Sequence, residues 1–305
     1  MKFFLAPMAD ISDRIFREVC YLAGADYCYS EMISIKALLF NSKKTLEMTE
    51  VSETEQHTFI QIFDSTPENF APAMKIIEEN RSFYGFDINM GCPVKKVIKA
   101  GSGSALLKEP EKVRAIIKNA RSGTKKPLSV KIRKGFEAPN AEIIAKIAEE
   151  EGADMLVLHP RLKTEMFSGI SDFELSRKIA ETVSIPVIHS GDITNLAMLK
   201  KLLDTRLYGV MIGRGTLGKP WIFQELKDEC ELDDEFKKEI MMIHFNKILA
   251  YHTTIHLMIE LKKHAAWYSK GYEAGSIFRQ KLYEEFRELP ELIDGINFFF
   301  GIKIG

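Results

Sequence analysis

The sequence predicts an α/β fold, a (β/α)8 TIM barrel followed by a C-terminal all-helical domain. Eight short apolar segments recur about every 30 residues, the length of one strand-helix unit, and amphipathic helix patterns separate most of them. The segments are almost continuously apolar, as expected of parallel strands covered on both faces. A doubly wound sheet is the main alternative, but it usually needs fewer strands, and no G-x-G-x-x-G follows the first segment.

Each predicted strand is bounded by Gly, Pro or polar residues. The eight are Phe3–Pro7, Asp26–Glu31, Thr58–Phe63, Gly85–Asn89, Leu128–Arg133, Met155–Pro160, Pro186–Ser190 and Gly209–Gly213. The helix patterns between them cover Asp13–Leu22, Pro67–Glu79, Glu111–Arg121, Ala141–Glu150, Phe173–Thr182 and Leu196–Leu203. The residues predicted to cap four of these helices are Ser12, Thr66, Ser171 and Thr194.

The strand-helix repeat stops near Cys230. After the acidic stretch Asp228–Glu235 the pattern is helical to about Arg287. We therefore predict a barrel domain over residues 1–233 and a helical domain over residues 234–305.

Composition excludes several classes of protein. No apolar stretch approaches the roughly 18 residues of a membrane span, and the N-terminus has only a short apolar run, which predicts a first strand rather than a signal peptide. The four cysteines form no C-x-x-C pair, which argues against a zinc site and for a reducing, cytoplasmic location. We expect no bound metal.

The net charge of −1 conceals an uneven distribution. The segment Val94–Lys134 contains 13 Lys and Arg against 2 Glu, a net of +11. Solvated helix faces can account for part of this charge. The rest favours a polyanionic partner, because nucleic-acid affinity depends on neutralised phosphates.

Polar residues cluster where the predicted strands end, which is where barrel enzymes place their sites. They suggest one large polar ligand across the barrel mouth. The set is Pro7 and Met8, Glu31, Gln61, Asn89 with Cys92, Lys131 with Arg133, His159 with Arg161, Ser190 to Asp192, and Gly213 with Arg214.

Two segments, HSGDITN and IGRGTLGKP, resemble phosphate sites. Their glycines follow the seventh and eighth strands and precede helices, where backbone N–H groups attract phosphate and Arg214 adds charge. The alternative is that Gly191, Gly213 and Gly215 only make tight turns.

Lys131 ends the fifth strand, where a charge facing the core needs an anion. The N1–O2 edge of a reduced flavin would be such an anion. Gln61 could offer a donor and an acceptor to the flavin's pyrimidine part. An outward, solvated lysine and a capping glutamine are the alternatives.

Cys92 lies in Asn89-Met90-Gly91-Cys92-Pro93, directly after the fourth strand. A cysteine is more often an inert buried residue, but glycine and proline around it indicate a loop at the mouth. A thiol of ordinary pKa is mainly protonated near neutrality, so Cys92 could donate a proton. The other three cysteines lie in helix or strand patterns, and we interpret them as structural.

Several segments together resemble the tRNA-dihydrouridine synthases, including NMGCPVKKV with GSGSALL downstream, which is highly specific. The others are APMADISDRIFR, SEMIS, QIF, VKIRKGF, HPRLKTEMFSG, SGDI, GRGTLGKPWIF and LKKHAAWYSKG, so the resemblance covers nearly the whole chain. Some positions depart from the usual pattern: Asp10, Ser12, Leu162, Glu165, Phe167 and Ser190.

The resemblance implies reduction of the uracil 5,6 double bond in tRNA, with FMN as cofactor and NADPH or NADH as electron source. It implies Cys92 as the acid and Asn89 as the residue that orients uracil, with a helical domain that binds tRNA. The implied FMN residues are Pro7, Met8, Ala9, Gln61, Lys131, His159, Ser190, Gly191, Asp192, Gly213 and Arg214. The remaining expected substrate contacts are Lys95, Lys96, Lys99, Arg133 and Arg161.

Three alternatives stay open on the sequence. An FMN-dependent dihydropyrimidine or dihydroorotate dehydrogenase would act on a free pyrimidine. A non-catalytic RNA-binding factor would retain the barrel without the reaction. A phosphate-binding lyase or isomerase would need no flavin.

Overall fold

The computed structural model describes residues 1–251 and 253–305, apart from the side chains of 254 and 255. Within this part of the chain, eight parallel strands close into a barrel, because β1 pairs with β9 as well as β2, and β2 pairs with the third barrel strand. The barrel strands are β1 (Lys2–Leu5), β2 (Tyr27–Tyr29), β4 (Thr58–Phe63), β5 (Gly85–Met90), β6 (Leu128–Gly135), β7 (Met155–Leu162), β8 (Val187–Ser190) and β9 (Gly209–Ile212). A two-residue strand, β3 (Ile33–Ser34), pairs with β4 outside this count. The predicted barrel is confirmed.

Helices separate the strands and then continue alone. They are α1 (Arg14–Leu22), α2 (Ile35–Leu39), α3 (Lys43–Glu47), α4 (Phe70–Asn80), α5 (Lys95–Lys99), α6 (Pro110–Gly123), α7 (Ala141–Glu150), α8 (Phe173–Thr182), α9 (Leu196–Lys200), α10 (Ile222–Asp228), α11 (Asp234–Tyr251), α12 (Thr254–Tyr268), α13 (Gly275–Glu284) and α14 (Leu289–Phe300). Short 3-10 helices cover Pro67–Asn69, Gly103–Lys108 and Arg214–Thr216. Helices α7 and α8 have the predicted bounds. The predicted end of the helical pattern near Arg287 is wrong, because α14 begins beyond it with a capping box between Glu288 and Glu291.

Three of the predicted helix caps are wrong by one residue. The caps are Asp13, Asp172 and Asn195, whose side chains accept the N–H of Phe16, Leu175 and Met198 at 2.8, 3.0 and 3.0 Å. Asp and Asn rank at the top of N-cap preference, which decides between adjacent candidates. Thr66 precedes its 3-10 helix without a side-chain cap bond.

The lower part of the barrel is filled by aromatic side chains. Phe4 stacks on Tyr27 at 4.6 Å between ring centroids, and Tyr29 stacks on Phe59 at 4.9 Å. These rings share one buried cluster with residues of the opposite strands, such as Val157. A ligand in the barrel must therefore bind at the carboxyl ends of the strands.

The C-terminal helices pack on α1. Ile15 and Val19 of α1 lie in one buried apolar cluster with Phe245 and Leu261. At its edge, the Lys263 ammonium of α12 donates to the Asp10 carbonyl at 2.7 Å. The domain boundary at residue 233 stays a prediction. Among the described residues, no helix combines the length and apolar character needed to cross a membrane.

Candidate active site

Polar residues occupy the inward positions just above the aromatic layer. Because side chains alternate along a strand, Gln61 lies on the same face as Phe59, and Asn89 on the same face as Asp87. The register places Gln61 beside Asp87 and Asn89 beside Lys131. The barrel interior therefore changes from apolar to polar within one layer.

A directed set of hydrogen bonds joins four of these residues, which we call the Asp87 network: Asp87, Gln61, Asn89 and Cys92. Gln61 Nε2 donates to Asp87 Oδ2 at 2.7 Å, and Asn89 Nδ2 donates to Gln61 Oε1 at 2.8 Å. Asn89 Oδ1 accepts the backbone N–H of Cys92 at 3.0 Å. The side chains of Asn89 and Gln61 thus link the loop that carries the thiol to the Asp87 carboxyl group inside the barrel.

Cys92 lies half-buried on the loop after β5, whereas Cys20 and Cys28 are buried. Burial raises the pKa of the Cys92 thiol, more than nearby Arg133 and Lys131 lower it. The thiol is consequently protonated at neutral pH. Cys230 is exposed beyond α10, so its predicted place in a regular helix or strand is wrong.

The downstream GSGSALL motif holds this loop. Ser104 donates from its backbone N–H and its hydroxyl to the Cys92 carbonyl, at 3.1 and 3.0 Å. Gly103 has φ +61°, and a Cβ there would lie 2.8 Å from the Cys92 carbonyl oxygen. Only glycine fits both the backbone conformation and the space.

Lys131 brings a positive charge into the barrel mouth. Burial, followed by repulsion from Arg133, lowers its pKa to about 8, while Asp87 acts in the opposite direction. Burial raises the pKa of Asp87 to about 7, against its hydrogen bonds from Ser129 and Gln61. An anion near Lys131 would stabilise its charged form.

Arg133 and Arg161 are buried and bonded to backbone carbonyls. Arg133 donates to the carbonyls of Gly91 at 2.9 Å and Met166 at 2.8 Å. Arg161 donates to the carbonyls of Ser168 and Gly169 at 3.0 and 2.8 Å. Their substrate contacts remain a prediction; here they hold the segments at the mouth.

His159 is neutral in this arrangement. Arg161 Nη1 lies 3.2 Å from His159 Nε2, and because a guanidinium can only donate, Nε2 accepts and the proton is on Nδ1. Burial and the charge of Lys131 place its pKa well below the usual histidine range. Neutral His159 can therefore donate one N–H to a ligand.

The ends of β8 and β9 meet beside Arg161. Asp192 Oδ2 accepts from Arg161 at 2.5 Å, and Asp192 Oδ1 lies 3.8 Å from Arg214 Nη2. A Cβ on Gly191 would lie 2.5 Å from Ser171 Oγ, and Gly191 has φ +142°. After β9, Gly213 leads into the 3-10 helix Arg214–Thr216, whose first N–H groups have no partner within the helix.

The first strand contributes the neighbouring wall. A Cβ on Gly213 would lie 3.4 Å from Ala6 Cβ and 3.5 Å from Met8 Sδ. Ser12 Oγ bonds the backbone N–H of Met8 at 2.9 Å, so Ser12 fixes this loop instead of capping α1. Pro7 is half-buried and Ala9 exposed in the same loop.

Phe167 covers the mouth from the segment after β7. Its ring lies 4.7 Å from the Arg214 guanidinium and 5.5 Å from that of Arg133. Nearly half of the Phe167 side chain is exposed. The ring thus lies between two cations that the sequence assigned to different ligands.

The positive segment is less uniform than its sequence suggests. Arg114 pairs with Glu151 at 2.6 Å and Arg121 with Asp154 at 2.8 Å, so α6 is partly neutralised by α7 and the loop after it. Lys95, Lys96 and Lys99 are exposed on α5, directly after the Cys92 loop. The local excess of charge is therefore next to the thiol.

Sequence reasoning missed Asp87, Ser129 and His189. Asp87 and Ser129 interrupt apolar strands on the faces that carry Asn89 and Lys131, and this period-2 signal could have identified them. His189 is buried, with Nε2 2.8 Å from the Gly191 carbonyl.

No group of three or more His, Cys, Asp and Glu among the described residues could hold a metal ion.

Comparison with known proteins is consistent with this arrangement. The dihydrouridine synthase (Dus) family model matches residues 4–293. Similar proteins include tRNA-dihydrouridine synthase B of Pasteurella multocida, 35% identical over 292 residues, which cover 92% of this chain and 87% of that protein. Those of Vibrio vulnificus and Escherichia coli strain K12 are 36% and 33% identical, over 92% and 98% of this chain and 89% and 96% of theirs. The chain therefore belongs to the dihydrouridine synthase family.

Proposed function

We propose that this protein reduces specific uridines of tRNA to 5,6-dihydrouridine, with FMN at the barrel mouth and NADPH or NADH as electron donor. The observation that carries the proposal is the half-buried Cys92 thiol, on a loop bonded to Asn89 at the strand ends that carry Gln61 and Lys131. Family membership and the names of the relatives, tRNA-dihydrouridine synthases, support the substrate class.

The residues at the mouth fit FMN. A flavin presents carbonyl oxygens and a pyrimidine edge that becomes anionic on reduction, and the available groups are mainly donors. Lys131 provides a cation, and Gln61 and neutral His159 provide N–H groups. Gly213 and Arg214 offer the phosphate a backbone turn and a guanidinium. The proposed FMN residues are Pro7, Met8, Ala9, Gln61, Lys131, His159, Ser190, Gly191, Asp192, Gly213 and Arg214.

When bound, reduced FMN supplies the hydride that uracil accepts at C6. Cys92 Sγ then donates its proton to C5, and its raised pKa keeps that proton available. Asn89 has one side-chain N–H that is not used within the network, and we assign it to orienting the uracil. The Lys131 ammonium favours negative charge in the site.

The tRNA must deliver a single base to this site. A stacked uridine cannot reach a thiol inside the barrel mouth, so the base must be flipped out. Lys95, Lys96 and Lys99 are exposed on α5, directly after the Cys92 loop, and are proposed to meet phosphates. Arg133 and Arg161 are proposed to act on substrate through the segments that they hold. Residues 234–305 are proposed to bind the body of the tRNA.

The test is direct. Unmodified tRNA transcript, purified protein and NADPH are incubated, and the nucleosides are analysed by mass spectrometry for a uridine heavier by two hydrogens. We expect this product and a flavin absorbance band in the purified protein. Turnover of free uracil or dihydroorotate without turnover of tRNA would contradict the proposal and favour a free-pyrimidine dehydrogenase. A protein that holds no flavin and turns over neither substrate would also contradict it.

A further inference from the structure

We propose that Asp87 is a positioning residue: it sets the direction of the Asp87 network, so that the Gln61 and Asn89 amides turn N–H groups toward the ligand and hold the Cys92 backbone. The inference rests on the proposed function for its consequence in catalysis. The bonds that carry it lie within this chain.

The two ends of the network determine the orientation of both amides. The Cys92 backbone N–H can only donate, so Asn89 must present Oδ1 to it. Asn89 Nδ2 is then directed at Gln61, which must accept through Oε1. Gln61 Nε2 is consequently directed at Asp87 Oδ2, which must accept its hydrogen bond.

The orientation of the Gln61 and Asn89 amides determines whether N–H groups or carbonyl oxygens face the ligand. Each amide nitrogen has two hydrogens, and the network uses one from Gln61 and one from Asn89. Both Gln61 and Asn89 thus keep an N–H for the flavin or the uracil. Reversed amides would turn carbonyl oxygens toward the oxygen-rich edges of both rings, which would repel them.

Asp87 is itself held in place. Ser129 Oγ donates to Asp87 Oδ1, and the Tyr29 hydroxyl lies 3.0 Å from Ser129 Oγ, with the Tyr29 ring stacked on Phe59. Asp87 is fully buried, out of reach of bulk solvent. The Asp87 carboxylate is therefore held in one position, whereas the Cys92 loop above it has no regular secondary structure.

Three roles for Asp87 make different predictions for two variants of similar size. Asp87→Asn keeps an oxygen that can accept from Gln61, because the Ser129 hydroxyl can turn and accept from the new amide. Asp87→Leu fills the space without any acceptor. If Asp87 is a positioning residue, Asp87→Asn should keep the Cys92 hydrogen bond, FMN binding and turnover, and Asp87→Leu should impair all three. If Asp87 only fills space, both variants should behave like wild type. If its charge is needed beside Lys131, both variants should be impaired.

The first readout needs neither flavin nor tRNA. Protein labelled with ¹⁵N-cysteine gives amide resonances for its cysteines, and Cys92→Ser identifies that of Cys92. We expect the Cys92 amide proton to move upfield in Asp87→Leu, because its hydrogen bond to Asn89 weakens, and to keep its position in Asp87→Asn. Asp26→Leu is the matched control, since Asp26 accepts the Phe3 N–H at the opposite end of the barrel.

The second readout uses the holoenzyme. Asp87→Leu is expected to raise the FMN dissociation constant and to lower turnover at saturating FMN, each on the order of tenfold, the effect of one lost hydrogen bond. Asp87→Asn is expected to stay within about threefold of wild type in both. Should Asp87→Leu fail to fold, Gln61→Leu breaks the network at its centre and is expected to move the Cys92 resonance in the same way.

The inference is overturned if the Cys92 resonance is unchanged in both Asp87→Leu and Gln61→Leu, or if Asp87→Asn is as impaired as Asp87→Leu. Failure of the proposed function looks different. Wild-type protein would then hold no flavin or leave tRNA unmodified, while the resonances would still report on the network.

Discussion

At the scale of single residues, the state of Cys92 separates two kinds of thiol chemistry. Catalytic thiolates have lowered pKa values because a cation or helix end stabilises the anion. Burial raises the pKa of Cys92 instead, despite Arg133 and Lys131 nearby. A thiol that keeps its proton suits a general acid and not a nucleophile.

Replacement of Cys92 by alanine is expected to leave FMN content and NADPH oxidation by oxygen unchanged while tRNA turnover falls about 10²-fold or more, the usual contribution of a general acid. Flavin absorbance, oxygen consumption and nucleoside mass spectrometry measure the three quantities. Cys230→Ser is the control, because Cys230 is exposed beyond α10. Wild-type turnover by Cys92→Ala would exclude the acid role.

Lys131 predicts a pH dependence of uridine reduction. With a pKa of about 8, its ammonium is present below that pH and is lost as the pH rises through it. The rate should therefore fall above about pH 8, or somewhat higher with an anion bound, because the anion raises the pKa. In Lys131→Arg the falling limb is expected to move to higher pH, since a guanidinium stays protonated.

Single-turnover rates between pH 6 and 10 measure this dependence, with protein stability checked at each pH. Lys146→Arg on the exposed face of α7 is the matched control and should keep the wild-type profile. If the rate falls over the same pH range in wild type and Lys131→Arg, the titrating group is not Lys131.

At the scale of elements, the segment from the end of β5 to α6 combines rigidity with charge. Ser104 and Gly103 hold the Cys92 carbonyl from one side, and Asn89 holds the Cys92 N–H from the other. Helix α5, between these two contacts, presents three exposed lysines. The element that positions the acid is thus also the one proposed to meet the RNA backbone.

The triple change of Lys95, Lys96 and Lys99 to alanine should weaken tRNA binding and reduce its salt dependence. Each lost phosphate contact lowers the magnitude of the slope of log K against log salt by about 0.7 to 0.9, so three lost contacts lower it by about 2 to 3 in total. FMN content should not change. Binding titrations at several salt concentrations measure the slope.

The matched control replaces Lys75, Lys146 and Lys178, which are on α4, α7 and α8, with alanine. It removes the same charge at other helices. Equal loss of slope in both triple variants would mean that the α5 lysines have no special place in tRNA binding.

At the scale of the whole molecule, the C-terminal helices join the barrel through a buried polar cluster. His244 and His264 have ring centroids 4.2 Å apart, and both rings lie against Phe16 of α1. His244 Nδ1 lies 2.8 Å from the Tyr268 hydroxyl, and its Nε2 is buried without a hydrogen-bond partner among the residues that the structure describes. Glu260 lies 3.6 Å from His264 Nε2, and Asp13 adds a second negative charge near this ring.

This cluster predicts acid sensitivity. Burial lowers the pKa of both His244 and His264 below the unfolded value of about 6.5. The folded state therefore binds fewer protons, so its stability is complete above about pH 6.5 and declines as the pH falls further. The Tm should decrease between pH 7 and 5.

In His244→Phe this decrease should be smaller, although the variant loses about 1 kcal/mol at pH 7 because Tyr268 loses its partner. Thermal unfolding followed by near-ultraviolet circular dichroism measures both effects. His57→Phe, outside this interface, is the control. An unchanged pH dependence in His244→Phe would contradict the assignment.

The repeat, the eight strands and the residues at their carboxyl ends were determined by the sequence alone, because period-2 and period-3.6 patterns and Gly–Pro punctuation are local properties. The same holds for Cys92, whose surrounding residues mark a loop. Cap positions depended on contacts outside the helix pattern: Ser12 and Asp13 are adjacent candidates, and Ser12 Oγ accepts the Met8 N–H, which leaves Asp13 as the cap of α1.

Only the tertiary structure decided which polar groups meet. Gln61, Asp87 and Asn89 come together because neighbouring parallel strands pair in one register, and no local pattern encodes that register. The neutral state of His159 likewise depends on burial and on the charges of Lys131 and Arg133, which lie on the neighbouring strand β6. The lowered pKa of Lys131 depends first on its burial in the closed barrel. Local composition selects the side chains of the site, whereas closure of the barrel determines their partners and therefore their protonation.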